Sequence, residues 1–208
     1  VAAQSLTQNK IKILTGGLTE SRQGFSALPG VKAEVNQIAT GVPSKIFLNQ
    51  EFTENNLQSQ IAQTAFPIVH LATHGQFSSN PEETFILTWD NKIKVKDFEN
   101  LLRFRERGNA TPIELLVLSA CQTAAGDNRA ALGLAGVAVR SGARSTLATL
   151  WSVKDESTAE LMTQFYELLS QGTSKSEALR GAQLKLLKQP KYNHPFYWSP
   201  FILVGNWL

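Results

Sequence analysis

His74 and Cys121 are the two side chains in this 208-residue sequence whose types and placement suit acyl transfer. Cys121 is the only cysteine. A free thiol with a pKa of about 8.5 is only a few per cent thiolate at neutral pH, so it needs a neighbouring base to act as a nucleophile. His74 can be that base if the fold brings the two together. Each follows an almost wholly apolar run: residues 68–73 lead into His74-Gly75, and residues 113–119 lead into Ala120-Cys121-Gln122. Such runs read as strands buried on both faces of a parallel sheet. Ligands of open α/β sheets bind beyond the carboxyl ends of the strands, so two adjacent parallel strands would deliver imidazole and thiol to one edge. The amides of Gly75 and Cys121 are candidates for an oxyanion hole, because glycine lets a carbonyl approach the backbone closely. Taken singly, the residues have plainer readings: a lone cysteine at a strand end is often a small buried hydrophobe, and a lone histidine a hydrogen-bonded loop residue.

The elements that must position these groups alternate between strand and helix periodicity. Residues 10–15 read as a first strand ended by Gly16-Gly17, and Val31, Val35 and Ile38 fall on one face of a following helix. A short strand at 45–48 precedes a helix carrying Leu57 and Ile61, with Thr53 as its N-cap. Residues 85–88 and 93–95 flank Trp89-Asp90-Asn91-Lys92 as a hairpin. A brief helix is expected at 98–102, a small-residue helix at 132–139 and a strand at 144–151. Two helices close the chain. The first, 156–170, carries Met162, Phe165, Tyr166 and Leu169 on one face and stops at Gly172; the second opens on the capping box Ser174 to Glu177. A last strand follows at 200–204. With no composition break and no internal repeat, this order predicts one three-layer α/β/α domain over residues 1–208, with a mainly parallel sheet and an inserted hairpin.

Composition narrows the chemistry further. A net charge of +3 is too small for a nucleic-acid-binding balance, and no apolar run approaches the roughly 18 residues of a membrane span. One cysteine excludes an intrachain disulfide framework and multi-cysteine metal sites, and it fits a reducing, cytoplasmic setting. His70 and His74 would stand roughly 13 Å apart along a strand, so they do not form a zinc pair, and His70 reads as a core histidine. The glycines fit no nucleotide-binding pattern, His194 reads as a loop residue, and no cofactor or metal is expected. The chain opens at Val1 and its only methionine is Met162, which suggests the C-terminal part of a longer protein.

Three blocks, in order, are more specific: Val69-His70-Leu71-Ala72-Thr73-His74-Gly75, Leu116-Val117-Leu118-Ser119-Ala120-Cys121-Gln122-Thr123 and Ala148-Thr149-Leu150-Trp151-Ser152-Val153-Lys154-Asp155. They closely resemble the signature blocks of the CHAT-domain family, caspase-like modules related to the protease domain of separases. The resemblance extends from Leu14-Thr15-Gly16-Gly17 and Gly24-Phe25-Ser26-Ala27-Leu28-Pro29 to the closing Tyr197-Trp198-Ser199-Pro200-Phe201. The separation of 47 residues between His74 and Cys121 also matches caspases, whose histidine lies about 50 residues before an Ala-Cys nucleophile. The resemblance implies a caspase-hemoglobinase-like fold and a cysteine endopeptidase site, with His74 as general base and Cys121 as nucleophile. Gln122 departs from the family's usual glutamate, which puts that acid's role in positioning or substrate binding in doubt.

Asp155 matches the acid that selects a basic P1 side chain in separase-like relatives. It also stands at the start of the expected helix 156–170, where an aspartate is ordinary N-capping chemistry. Asp127, in the loop after Cys121, is a second candidate acid, with a solvated loop residue as its plain reading. Two functions are therefore open: a cysteine endopeptidase cleaving protein or peptide substrates after Arg or Lys, or a silent or partner-activated caspase-fold interaction module in bacterial signalling. Family analogy adds tetratricopeptide repeats upstream or a regulatory protein as partners.

Overall fold

The computed structural model describes residues 11–78, 80–94, 97, 100, 112–119, 121–123, 142–151 and 154–208. Its main sheet contains β1 (Ile13–Gly17), β2 (Ser44–Leu48), β3 (Ile68–Ala72), β7 (Leu115–Leu118), β9 (Ser145–Thr149) and β10 (Phe201–Gly205), in the order β10-β9-β7-β3-β1-β2. Every pairing is parallel except β9 with β10. The two apolar runs are neighbours at its centre, with Leu71 opposite Leu118. Alternation sorts their side chains: Val69, Leu71, Leu116 and Leu118 enter one core, and Ile68, Leu115 and Val117 enter the other.

Helices α1 (Gly30–Gly41), α3 (Asp155–Ser170) and α4 (Lys175–Leu187) share the second core. The opposite face is covered by α2 (Glu54–Gln63) and by a smaller sheet. That sheet holds β4 (Gly75–Phe77), β5 (Phe85–Leu87), β6 (Lys92–Lys94) and β8 (Cys121–Thr123), in the order β6-β5-β4-β8. The architecture is thus the expected three-layer α/β fold with its hairpin, β5–β6. The predicted caps are also in place: Thr53 Oγ1 accepts from Asn56 N, and Ser174 Oγ accepts from Glu177 N. Among the described residues no helix is long and apolar enough to cross a membrane.

Two local expectations are corrected. β1 begins later than predicted and runs through Gly16-Gly17 instead of stopping there. The Phe52 ring, wholly buried, lies 2.2 Å from where a Cβ on Gly16 would stand, so the glycine makes room for a ring and does not break the strand. The residues directly after His74 form β4. The helix expected at 132–139 and most of that at 98–102 lie outside the described residues.

A buried polar group joins α1 and α3 to β3. His70 has its Nδ1 2.9 Å from the Tyr166 hydroxyl, while Glu34 Oε1 lies 3.0 Å from its Nε2, a close contact and not an aligned hydrogen bond. Burial, with the Glu34 charge second, holds the Tyr166 phenol well above its ordinary pKa. His70 is the core histidine expected.

Candidate functional site

Both reactive positions lie where the chain steps from the large sheet to the small one. β3 passes through Thr73-His74 into β4, and β7, ending at Leu118, is followed by β8 from Cys121. Because β3 and β7 are parallel neighbours, their continuations are too: β4 pairs with β8 in parallel, with Gly75 opposite Cys121. Strand spacing then puts the Cys121 backbone about 5 Å from that of Gly75, next in sequence to His74. The fold brings these two predicted residues, and Gly75, to one edge. Gln122 follows in β8, opposite Gln76. Asp127 lies outside the described residues.

His74 is firmly held. The Leu87 amide donates to its carbonyl at 2.8 Å, and the neighbouring Thr73 hydroxyl donates to the Leu87 carbonyl at 2.8 Å. Thr73 is fully buried and His74 only 7% exposed. The first of these bonds also makes Gly75 and Ile86 a non-hydrogen-bonded pair, which turns the Gly75 amide away from β5 and toward the β8 edge.

The imidazole has a partner that side-chain patterns could not reveal. His74 Nε2 lies 2.8 Å from the backbone carbonyl oxygen of Ser26. A carbonyl can only accept, so Nε2 carries the proton, and the neutral ring keeps its lone pair on Nδ1. That is the tautomer a general base needs. If the ring gains a second proton, the same carbonyl stabilises the cation, a charge-assisted bond contributing about 1.5–3 kcal/mol. The Phe25 ring packs on the imidazole, centroids 5.0 Å apart, and meets Phe85 edge-on. Lys92 Nζ lies over both phenyl rings.

The segment that presents Ser26 is tied at both ends. Arg22 and Phe25 exchange backbone hydrogen bonds, and the Arg22 guanidinium donates through Nε to the Trp89 carbonyl at 2.8 Å while stacking over the Trp89 ring. Leu28 N donates to the Thr19 carbonyl. Beyond Pro29 the chain enters α1 at Gly30, whose amide donates to Asp155 Oδ2 at 3.0 Å. Asp155 therefore does cap a helix, but not the one expected. It is the first residue of α3, which Lys154 precedes as N-cap, and its carboxylate reaches across to the N-terminus of α1, where Pro29 supplies no side-chain cap. A Cβ on Gly30 would stand 2.1 Å from that of Asp155, so glycine is required for the two helix starts to meet. Among the described residues no group of three or more His, Cys, Asp or Glu could hold a metal ion.

No curated protein sequence matches the chain. Among solved structures, it is similar to pyridoxal kinase from Bacillus subtilis in its ADP complex, at 8% identity over 85% of this chain and 90% of that one with a TM-score of 0.42. It is also similar to protein GSU0716 from Geobacter sulfurreducens, at 11% identity over 94% of each chain with a TM-score of 0.47. Residues 2–206 match the CHAT domain, essentially the whole chain. The chain therefore belongs to the CHAT domain family, in general a family of caspase-like peptidase modules.

Proposed function

We propose that the domain is a cysteine endopeptidase that cleaves protein or peptide substrates after a basic residue, Arg or Lys. The observation that carries the reading is the His74 imidazole, fixed by the Ser26 carbonyl in the tautomer of a base, on the strand step that runs beside the one bearing Cys121. In this mechanism the Cys121 thiol gives its proton to His74 Nδ1, and the thiolate attacks the scissile carbonyl. The Cys121 amide and, once released from its pairing with β8, the Gly75 amide are the proposed donors to the oxyanion. The C–N bond then breaks, and the leaving amine takes the proton from His74. Water, deprotonated by His74, attacks the thioester, which releases the acid and restores the thiol. No cofactor enters any step.

Asp155 is the proposed selector of the basic side chain. It is half-buried, and its Oδ1 carries no partner among the described residues, which leaves one oxygen for a guanidinium. Asp127 and Gln122 are secondary candidates for substrate contact on the nucleophile's side. An upstream repeat segment or a regulatory protein is the proposed partner, and the cytoplasm the proposed setting.

Hydrolysis of matched peptides with Arg, Lys or Asp at P1 tests this reading. Cleavage after Arg and Lys only, abolished in Cys121→Ala and in His74→Ala with the fold intact, supports it. Folded protein that turns over none of them makes the domain a silent scaffold by itself.

A further inference from the structure

Asp155 and His74 belong to different layers, yet a short covalent and hydrogen-bonded path joins them. Asp155 Oδ2 accepts from Gly30 N at 3.0 Å, and four residues earlier the Ser26 carbonyl accepts from His74 Nε2 at 2.8 Å. Ser26 and Ala27 are themselves exposed, so burial does not fix the carbonyl's position. The ends of the segment fix it. Arg22 holds one end through Phe25, and at the other end Leu28 N donates to the Thr19 carbonyl just before the N-terminus of α1. That N-terminus lacks a side-chain cap of its own and depends on Asp155.

We propose that Asp155 is a positioning residue for the general base: by capping α1 through Gly30 it anchors residues 25–29, and so keeps the Ser26 carbonyl on His74. The inference deepens the peptidase reading and rests on it for its catalytic consequence. One carboxylate then has two uses, with Oδ2 holding the base's support and Oδ1 facing the substrate's basic side chain. A purely pocket-lining Asp155 would set P1 preference without touching His74. A purely structural cap would change stability alone.

The test compares Asp155→Ala with Asp155→Asn, whose amide oxygen can still accept from Gly30. The first readout is NMR of the imidazoles, with only three histidines to assign. In Asp155→Ala, solvent exchange of the His74 Nε2 proton is expected to rise about tenfold, because the Ser26 carbonyl no longer holds it. Asp155→Asn should stay within about twofold of wild type. The second readout is modification of Cys121 by a peptide electrophile with a neutral P1 side chain. It should slow about fivefold in Asp155→Ala and recover in Asp155→Asn. Should Asp155→Ala fail to fold, Asp155→Ser replaces it as the shortened variant. A folded Asp155→Ala with unchanged His74 exchange overturns the proposal, as does Asp155→Asn behaving like the alanine. Wild-type protein that shows the NMR response but no labelling of Cys121 contradicts the peptidase reading and leaves the positioning role supported.

Discussion

Replacing Tyr166 by Phe removes one oxygen from the centre of the fold, and the consequences can be worked out in sign and size. The hydroxyl is 2.9 Å from His70 Nδ1, in a site where His70 is fully buried and Tyr166 and Glu34 are nearly so. Without it, Nδ1 has no partner, at a cost of about 1–3 kcal/mol near pH 7. For a chain of this size that lowers Tm by roughly 2–12 °C. The alkaline limb tests the same contact from the other side. Burial first and the Glu34 charge second raise the folded pKa of Tyr166 above its unfolded value of about 10. Above pH 10 the unfolded chain releases the phenolic proton while the native state keeps it, so the native state binds more protons and loses stability as pH rises. The slope from this group is about 1.4 kcal/mol per pH unit. The phenylalanine variant lacks that term, so its deficit should shrink by about that amount per unit above pH 10. The other tyrosines and the lysines titrate in both proteins and cancel in the difference. Urea unfolding of both at pH 7, 10 and 11 measures the gap. A gap that stays constant across this range, or a variant as stable as wild type at pH 7, refutes the reasoning.

Gly30→Ala should cost roughly 2–4 kcal/mol, combining overpacking against Asp155 with loss of the α1 cap, and thermal melts should show a fall of about 10 °C; a melt that matches wild type would mean the helix starts do not touch. Lys175→Met should stabilise the domain by about 1–2 kcal/mol at pH 7, because the Lys175 ammonium is buried and its Nζ has no hydrogen-bond partner among the described residues. Burial, partly offset by Glu114, lowers the folded pKa of that lysine, so the native state binds fewer protons and wild-type stability rises with pH up to the unfolded pKa near 10.5. The advantage of the variant should therefore shrink toward pH 10.5 in denaturant titrations, and a constant advantage would trace it to packing alone. Thr73→Val should cost about 1–2 kcal/mol in unfolding free energy and slow Cys121 labelling, because the Leu87 carbonyl beneath His74 loses its donor.

Much of this fold is readable from apolar periodicity, because β3 and β7 are buried on both faces and announce themselves as unbroken runs. Adjacent parallel strands then follow from their shared character, and with them the meeting of His74 and Cys121 at one edge. Of the small sheet, the hairpin β5–β6 was legible and the other two strands were not. β4 and β8 are three residues each, Gly-Gln-Phe and Cys-Gln-Thr, too short for any period to show. Gly16-Gly17 misled because a glycine that admits a neighbouring ring looks the same in sequence as one that ends a strand. The support of His74 was hidden twice over. Its hydrogen-bond acceptor is a backbone carbonyl, which Ser26 would offer whatever its side chain, and the anchor of that segment lies 125 residues from Gly30. Asp155 carried a capping signal, and local pattern assigned it to its own helix because only the tertiary fold brings the start of α1 within reach.

The central claim is that His74 activates Cys121, and covalent labelling tests it most directly. Matched peptide electrophiles carrying Arg or Asp at P1 are offered to wild type and to His74→Ala, and the modified residue is located by intact mass and peptide mapping. The account predicts stoichiometric modification at Cys121, faster with the Arg reagent and lost or strongly slowed in His74→Ala. Modification that is as fast without His74, or no faster than an unselective small alkylating agent achieves, would contradict it.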